Sequence, residues 1–491
     1  MTNTTTPPRG HPASATTISA WRILPSLVRD PLATLVRLAD HADGRVVRLG
    51  LGPVRPYLIT DPAHVAHVVR DNSGNYLRDG RGLLWQPIKR LFGDGVLSEG
   101  PVWESSRRTL QPLFTARRVD ALTEDLADAI DAAMEPLAEA AYAGRTVDMG
   151  RELSRIVCRA VVRVLFADRF SVTDALRITA AQDTIATAVL PRLLLSFVPN
   201  SVPVPGDRAF RDAVRTIDGI VLPVVRQVMA QPADGGDVLA TLVRGVDAHG
   251  RPLDETQIRN DTVAMFATST ETTYGVLTWL WPILQAHPEV AARLYDEVDE
   301  VVGAGPVRGH HLTRLRYTRM VLDELLRLYP VAWLMPRTAV AADTIGGVGV
   351  EAGAHLLLSP YLTQRLSGVW PDPERFDPER FDPERTDPER TDQRPADTDP
   401  AGGCPAGSGP LTSRPVRRPR YAHFPFGGGP HQCLGQHLFY LEGLLIVASI
   451  VSRFRISVPD GRVPRPRAGA SLRTSHPVQV TLRPVAPTRM D

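Results

Sequence analysis

One cysteine, Cys433, is delivered by the glycine-rich run Phe424-Pro-Phe-Gly-Gly-Gly-Pro-His-Gln-Cys-Leu-Gly435 to the start of an apolar helical pattern, Leu438, Leu441, Leu444, Leu445 and Ile446. The thiolate is the nucleophilic and metal-ligating form of cysteine, and it stays ionised only where positive potential is close. Free amides and the dipole at a helix N-terminus supply that potential. Gly427, Gly429 and Gly435 let backbone N–H groups approach the sulfur, where such bonds tune its electron donation to a metal, and Phe426 packs beside it and keeps water away. The other cysteines, Cys158 and Cys404, lie far off and no CxxC pair occurs, so neither a disulfide framework nor a zinc site is written here. A reducing, cytoplasmic setting is expected. The bland alternative is a buried free cysteine in a turn.

Two further clusters carry chemical potential. The run Thr268-Ser-Thr-Glu271-Thr272-Thr273 is poor helix, but its hydroxyls can bond to the carbonyl one turn back and bend a helix there. Glu324 and Arg327, three residues apart, share one face of a helix, the ordinary geometry of an ion pair.

The elements that must position these groups are mostly helical. From about Trp103 to Arg316, apolar residues recur at three- and four-residue spacing. One helix dominates, opening on a capping-box-like Asp254 and Gln257; about thirty residues would span on the order of 45 Å. Pro282 should kink or end it. Before this region come a polar tail, expected to be disordered through residue 19, a helix after Asp30, strands at Val46–Leu51 and Tyr57–Ile59, and a helix opening on Asp61-Pro62. After it, Thr344–Val348 and His355–Ser359 read as the two arms of a hairpin. Four DPER repeats begin at Asp372, and the stretch at about 384–420 reads as a low-complexity surface insertion in one domain running from residue 20 to residue 491. The net charge of +2, from 56 basic and 54 acidic residues, points to neither nucleic acid nor an anionic membrane. The N-terminal region holds no signal or membrane-spanning segment.

The cysteine loop is similar to the haem-binding signature of the cytochromes P450, F-G-x-G-x-(H/R)-x-C-x-G, and the chain resembles the soluble bacterial type from about Ala20 onward. The resemblance implies a mainly α fold with a smaller β region, the haem-thiolate prism, and haem b (iron protoporphyrin IX) with Cys433 as axial ligand. It makes Thr272 the hydrogen-bonding partner of activated oxygen and Glu271 a participant in proton delivery. Ser269 and Thr268 depart from the family's glycine and small apolar residue and add bulk near the iron. Trp103-x-x-x-Arg107 resembles the helix that reaches a haem propionate, and Arg337 and His431 match the other propionate positions, where burying a carboxylate requires cations or donors. Glu324, Arg327 and the arginine of a PERF-like box form a structural triad in this family; Arg380 fits best, with Arg375 and Arg385 as alternatives.

The implied activity is monooxygenation, by hydroxylation or epoxidation, of a hydrophobic small molecule such as a terpenoid or other secondary metabolite. The loop from Gly82 to Val96, the run from Ala188 to Val198 and the segment from Val331 to Met335 would face it. With no flavin domain in the chain, electrons are expected from an external ferredoxin or flavodoxin with its reductase, steered to a monomer by Arg107, Arg108, Arg414, Arg417, Arg418 and Arg420, unless these belong to a solvated insertion. A peroxide-driven peroxygenase acting on fatty acids and a non-catalytic haem-binding protein are the rivals. The Glu271-Thr272 pair argues against the first.

Overall fold

The computed structural model describes residues 13–19, 25–27, 29–50, 55–78, 86–188, 202–231, 235–303, 305–383 and 418–485. Most of the insertion expected at 384–420, residues 82–85 of the substrate-facing loop, and residues 189–198 lie outside them.

Seven helices position the site: α1 (Gly100–Leu110), α2 (Met149–Phe166), α3 (Val172–Ala188), α4 (Asp207–Ala230), α5 (Glu255–Ala286), α6 (Arg316–Leu328) and α7 (Gln436–Val451). The 32 residues of α5 are buried on nearly every face, because α2, α3, α4 and α7 pack around it. Its core contacts are aromatic: Phe266 stacks on Phe166 at 4.2 Å, and Trp279 on Tyr329 at 4.1 Å. The capping box is half formed, since Asp254 accepts from the Gln257 amide at 2.8 Å while the Gln257 side chain turns instead to Ser105 and Ser106. Pro282 does not end the helix, which runs on to Ala286 with Leu280, Trp281, Ile283 and Leu284 buried around the proline. Packing there outweighs one missing backbone bond. Helix α7 belongs to Gly429–Val451, a segment long and apolar enough to cross a bilayer, but 78% of its most apolar stretch is buried within the fold.

The β region centres on one sheet of β1 (Thr16–Ser19), β2 (Val47–Gly50), β3 (Tyr57–Ile59), β4 (Tyr76–Leu77), β5 (Met335–Ala339) and β8 (His355–Leu358), in the order β1-β2-β3-β8-β5-β4. Residues 13–19, expected to belong to a disordered tail, are instead ordered against the sheet. Thr16, Thr17 and Ile18, all β-branched, pair in parallel with β2, and Ala13 bridges Val348. The hairpin also differs. Its arms are β6 (Asp343–Ile345) and β7 (Val348–Val350), turning on Gly346 and Gly347, both at positive φ. Strand β8 leaves it to pair in parallel with β3 and antiparallel with β5, which fixes Arg337 opposite Leu356.

Candidate active site

The Cys433 loop is a tight backbone construction. The Cys433 amide donates to Phe426 O at 2.9 Å and the Gly427 amide to Phe424 O at 2.9 Å, while a short 3-10 turn, Gly429–His431, leads into the cysteine. Gly427 and Gly429 both take positive φ, and a Cβ on Gly429 would lie 1.7 Å from the carbonyl oxygen of Val69, so only glycine fits there. Phe426 packs edge-on to Phe439 at 5.6 Å and beside Tyr440 at 5.5 Å.

The sulfur borders a cavity of about 330 Å³. It is reached from that cavity while protein encloses the rest of it, and burial pushes the thiol up. The Gly435 amide, Arg107, Arg78 and the Gln436 amide act the other way, stabilising the thiolate. Across the cavity α5 presents Met265, Thr268, Ser269, Thr272, Thr273 and Val276; Val331, Leu334 and Met335 close another side.

Each hydroxyl of the α5 run bonds one turn back: Thr268 to Ala264 O at 2.7 Å, Ser269 to Met265 O, Thr270 to Phe266 O at 2.7 Å and Thr272 to Thr268 O at 2.6 Å. These bonds absorb the extra polarity of Thr268 and Ser269, and the helix stays unbroken through them, so the expected bend is not an interruption of secondary structure. Thr272 lines the cavity but Glu271 does not. Glu271 accepts from Ser471 Oγ and from Arg473, whose guanidinium also pairs with Asp183 of α3 at 2.8 Å. Two neighbours in sequence thus serve opposite sides of α5.

Beside the sulfur lies a cationic group of side chains. Trp103 packs against His431 with ring centres 4.1 Å apart and planes tilted by 37°, and Arg107 donates to Gln432 O at 2.6 Å. Among the described residues the buried Arg337 guanidinium bonds only the neighbouring Pro336 O, at 2.8 Å, and burial followed by repulsion from Arg78 pushes it down to about 9. Arg78 and Glu99, absent from the sequence reading, complete the group: Arg78 donates to His431 O at 3.2 Å, and the His431 Nε2 lies 3.0 Å from Glu99. Among the described residues none of the three arginines has a carboxylate within ion-pair distance, and His431 Nδ1 is buried without a partner. Three guanidinium charges against the single carboxylate of Glu99 leave two positive charges, the number that two propionates would neutralise. The donor set therefore fits haem.

Two other groups matter. Glu442 of α7, wholly buried in the cavity wall and hydrogen-bonded to Thr273, is pushed by burial up to about 8 and so is held protonated. Its sequence signal is that it is the lone charge in Leu438–Ile450. Beneath the loop, Arg327 makes five hydrogen bonds with its five N–H donors: two to Glu324, at 2.7 and 2.8 Å, and one each to Gln364 O, Pro373 O and Arg375 O. Arg380 Nε lies 3.5 Å from Glu324, within ion-pair range but without hydrogen-bond alignment, while Arg375 contributes its carbonyl. Arg385, Arg414 and Arg417 lie outside the described residues. Arg418 does not belong to an exposed basic patch, because its guanidinium stacks on Trp370 at 4.4 Å and burial pushes it down to about 10.

A helical prism with a cysteine loop facing a hydroxyl-lined helix across an apolar cavity defines a haem-thiolate oxygenase, and the chain belongs to the cytochrome P450 family, whose model matches residues 12–482. Family members ligate haem through the cysteine thiolate, and this chain is a monooxygenase of that kind. It is 30% identical over 470 residues to cyclooctat-9-en-7-ol 5-monooxygenase of Streptomyces melanosporofaciens, covering 93% of this chain and 90% of that protein. Pentalenene oxygenase of Streptomyces avermitilis is 27% identical over 472 residues, covering 96% and 95%. Among solved structures, the cytochrome P450DA heme domain superposes with a TM-score of 0.76 at 19% identity, over 97% of this chain and 98% of that one.

Proposed function

We propose that this chain hydroxylates or epoxidises a polycyclic terpene hydrocarbon or a lightly oxidised derivative of one, drawing electrons from a separate ferredoxin or flavodoxin and its reductase. The observation that carries the reading is the cavity between Cys433 and Thr272, whose substrate-facing wall of Val96, Leu97, Met265, Val276, Val331 and Leu334 offers shape and no charge. The names of the two Streptomyces relatives support the terpenoid class.

Haem, when bound, supplies the reductive activation of dioxygen. Cys433 is its thiolate ligand, steadied by the Gly435 and Gln436 amides, and Phe426 keeps water from the sulfur. Arg78, Arg107, Arg337, Trp103 and His431 would hold the propionates, with Glu99 orienting the His431 ring. Thr272 Oγ holds a proton at the cavity surface, and Glu271, on the Ser471–Arg473 side of the helix, replenishes it. Glu324, Arg327 and Arg380 support the loop from below. We also assign the chain to the cytoplasm as a monomer, in keeping with its three cysteines lying far apart in sequence and its buried apolar helix.

The test has two stages. A reduced, CO-bound difference spectrum of wild type and Cys433→Ala should give the red-shifted thiolate band in the first only; a wild type without it ends the haem-thiolate reading. The loaded enzyme is then given ferredoxin, reductase, NADPH and O₂ with a cyclic terpene hydrocarbon or a fatty acid. Terpene product that requires the reductase is expected. Turnover of the fatty acid with hydrogen peroxide alone would establish the peroxygenase instead.

A further inference from the structure

The loop Gly93–Glu99 joins the helix Gln86–Phe92 to α1, and its Val96 and Leu97 form part of the cavity wall. Two consecutive side chains of α5, Asn260 and Asp261, grip this loop, and Arg259 beside them grips the end of the helix that precedes it. Asp261, with none of its surface exposed, accepts from the Val96 amide at 2.6 Å through one oxygen and from the Ser106 hydroxyl at 2.5 Å through the other. Asn260 donates to Asp94 O at 3.1 Å. Arg259 donates to Leu91 O at 2.6 Å and pairs with Asp218 of α4 at 2.6 Å. The fit excludes side chains from the loop at two points: a Cβ on Gly93 would lie 2.2 Å from Asn260 Nδ2, and one on Gly95 would lie 2.5 Å from an Asp261 oxygen.

Asp261 breaks the usual rule for a buried carboxylate, since it has no ion-pair partner among the described residues and only two donors. Burial pushes it up to about 7. The nearby charges are engaged elsewhere, Arg259 with Asp218 and Asp94 with Lys89. Residues that violate a local rule without an evident packing gain concentrate at functional positions. Here one carboxyl ties the cavity wall, through Val96, and the helix carrying Trp103 and Arg107, through Ser106, to the helix carrying Thr272. Asp261 lies about three turns before Thr272, roughly 16 Å along the axis.

We propose that Asp261 is a positioning residue for substrate admission. It latches the loop Gly93–Glu99 to α5, and releasing the Val96 and Ser106 bonds lets bulky apolar molecules pass that wall. The inference rests on the cavity being the substrate pocket of a haem-thiolate enzyme, so the CO-bound thiolate band is checked first in every variant, and its absence tells against that reading rather than against the latch.

The experiment uses the haem-loaded full chain as wild type, Asp261→Leu, Asp261→Asn and Gly95→Ala. Hydrogen exchange is followed over residues 91–99, and association of imidazole and of a triphenylmethyl imidazole is followed by the optical shift of the haem. Losing a hydrogen bond of ordinary strength should accelerate loop exchange by about tenfold in Asp261→Leu and Gly95→Ala. The bulky azole should associate faster by a similar factor in both, while imidazole affinity stays within about twofold of wild type. Asp261→Asn keeps an acceptor for the Val96 amide and should stay close to wild type. Loop exchange and bulky-azole association both within about twofold of wild type in Asp261→Leu and Gly95→Ala would overturn the proposal. If Asp261→Leu does not load haem, Ser106→Ala, which removes one donor and leaves the carboxyl, is judged by the same two measurements.

Discussion

Replacing Glu324 with alanine should destabilise the protein and loosen its haem together. Glu324 and Arg327 both have 0% of their side chains exposed. The substitution strips two of five hydrogen bonds from a buried guanidinium and leaves the Asp377 amide, 2.9 Å from Glu324, without its acceptor. Removing one member of such a pair costs about 3–5 kcal/mol, mostly from the charge left behind. At roughly 2.1 cal/mol/K of unfolding entropy per residue, the 491-residue chain has about 1 kcal/mol/K, so Tm should fall by about 3–5 °C. The effect should reach the cysteine. Gln364 donates to the carbonyls of Leu326 and Arg327 while its side-chain oxygen accepts from the Phe424 amide at 2.9 Å, at the head of the loop. Thermal melts and haem-to-protein absorbance ratios should therefore decline in parallel. The double variant Glu324→Leu with Arg327→Leu, which buries no lone charge, should be more stable than Glu324→Ala. A Glu324→Ala protein melting within about 1 °C of wild type with a full haem complement would refute the argument.

Thr272→Ala should go on consuming NADPH while product per NADPH falls by about tenfold or more and hydrogen peroxide appears in its place; unchanged coupling would remove Thr272 from proton handling. Arg337→Ala and Arg78→Ala should each release haem faster to apomyoglobin, since each takes one of the charges set against the propionates; release at the wild-type rate from both would dismiss the charge count. Glu442, raised by burial from 4.5 to about 8, keeps a proton in the folded chain that the unfolded chain has already shed. Wild type should therefore lose stability relative to Glu442→Gln as pH rises from about 4.5 to about 8, and a melting-temperature gap that does not change with pH would count against a neutral Glu442.

How far the sequence reaches depends on how local each device is. The cysteine loop is legible because its glycines, Phe426, His431 and Cys433 are contiguous and each answers a local demand of backbone or charge. The hydroxyl run is legible for the same reason, whereas the Gly346-Gly347 pair, which reads as part of a strand, is the turn itself. What spacing cannot supply is the far partner. Glu271 and Thr272 are adjacent, and only Arg473, 202 residues on from Glu271, explains why the first turns from the cavity that the second lines. Arg78 and Glu99 look like ordinary surface ions until the fold brings them to His431, 353 and 332 residues away. Strand β8 reads as pairing with the strand just before it, but its partners are β5, which precedes the β6–β7 hairpin, and β3, which lies some 300 residues earlier. Pro282 misleads for a related reason, since the packing that carries α5 past it belongs to tertiary structure.

The surplus of two positive charges beside Cys433 bears on how the polypeptide matures. Without an anionic guest, the segments bearing Arg78, Arg107 and Arg337 repel one another inside the protein and favour looser arrangements, and the porphyrin is then the counterion that draws them together. Biosynthesis would couple cofactor supply to survival of the newly made chain: in iron- or porphyrin-starved cells most of it should be lost to proteases before it could accumulate as an inactive enzyme.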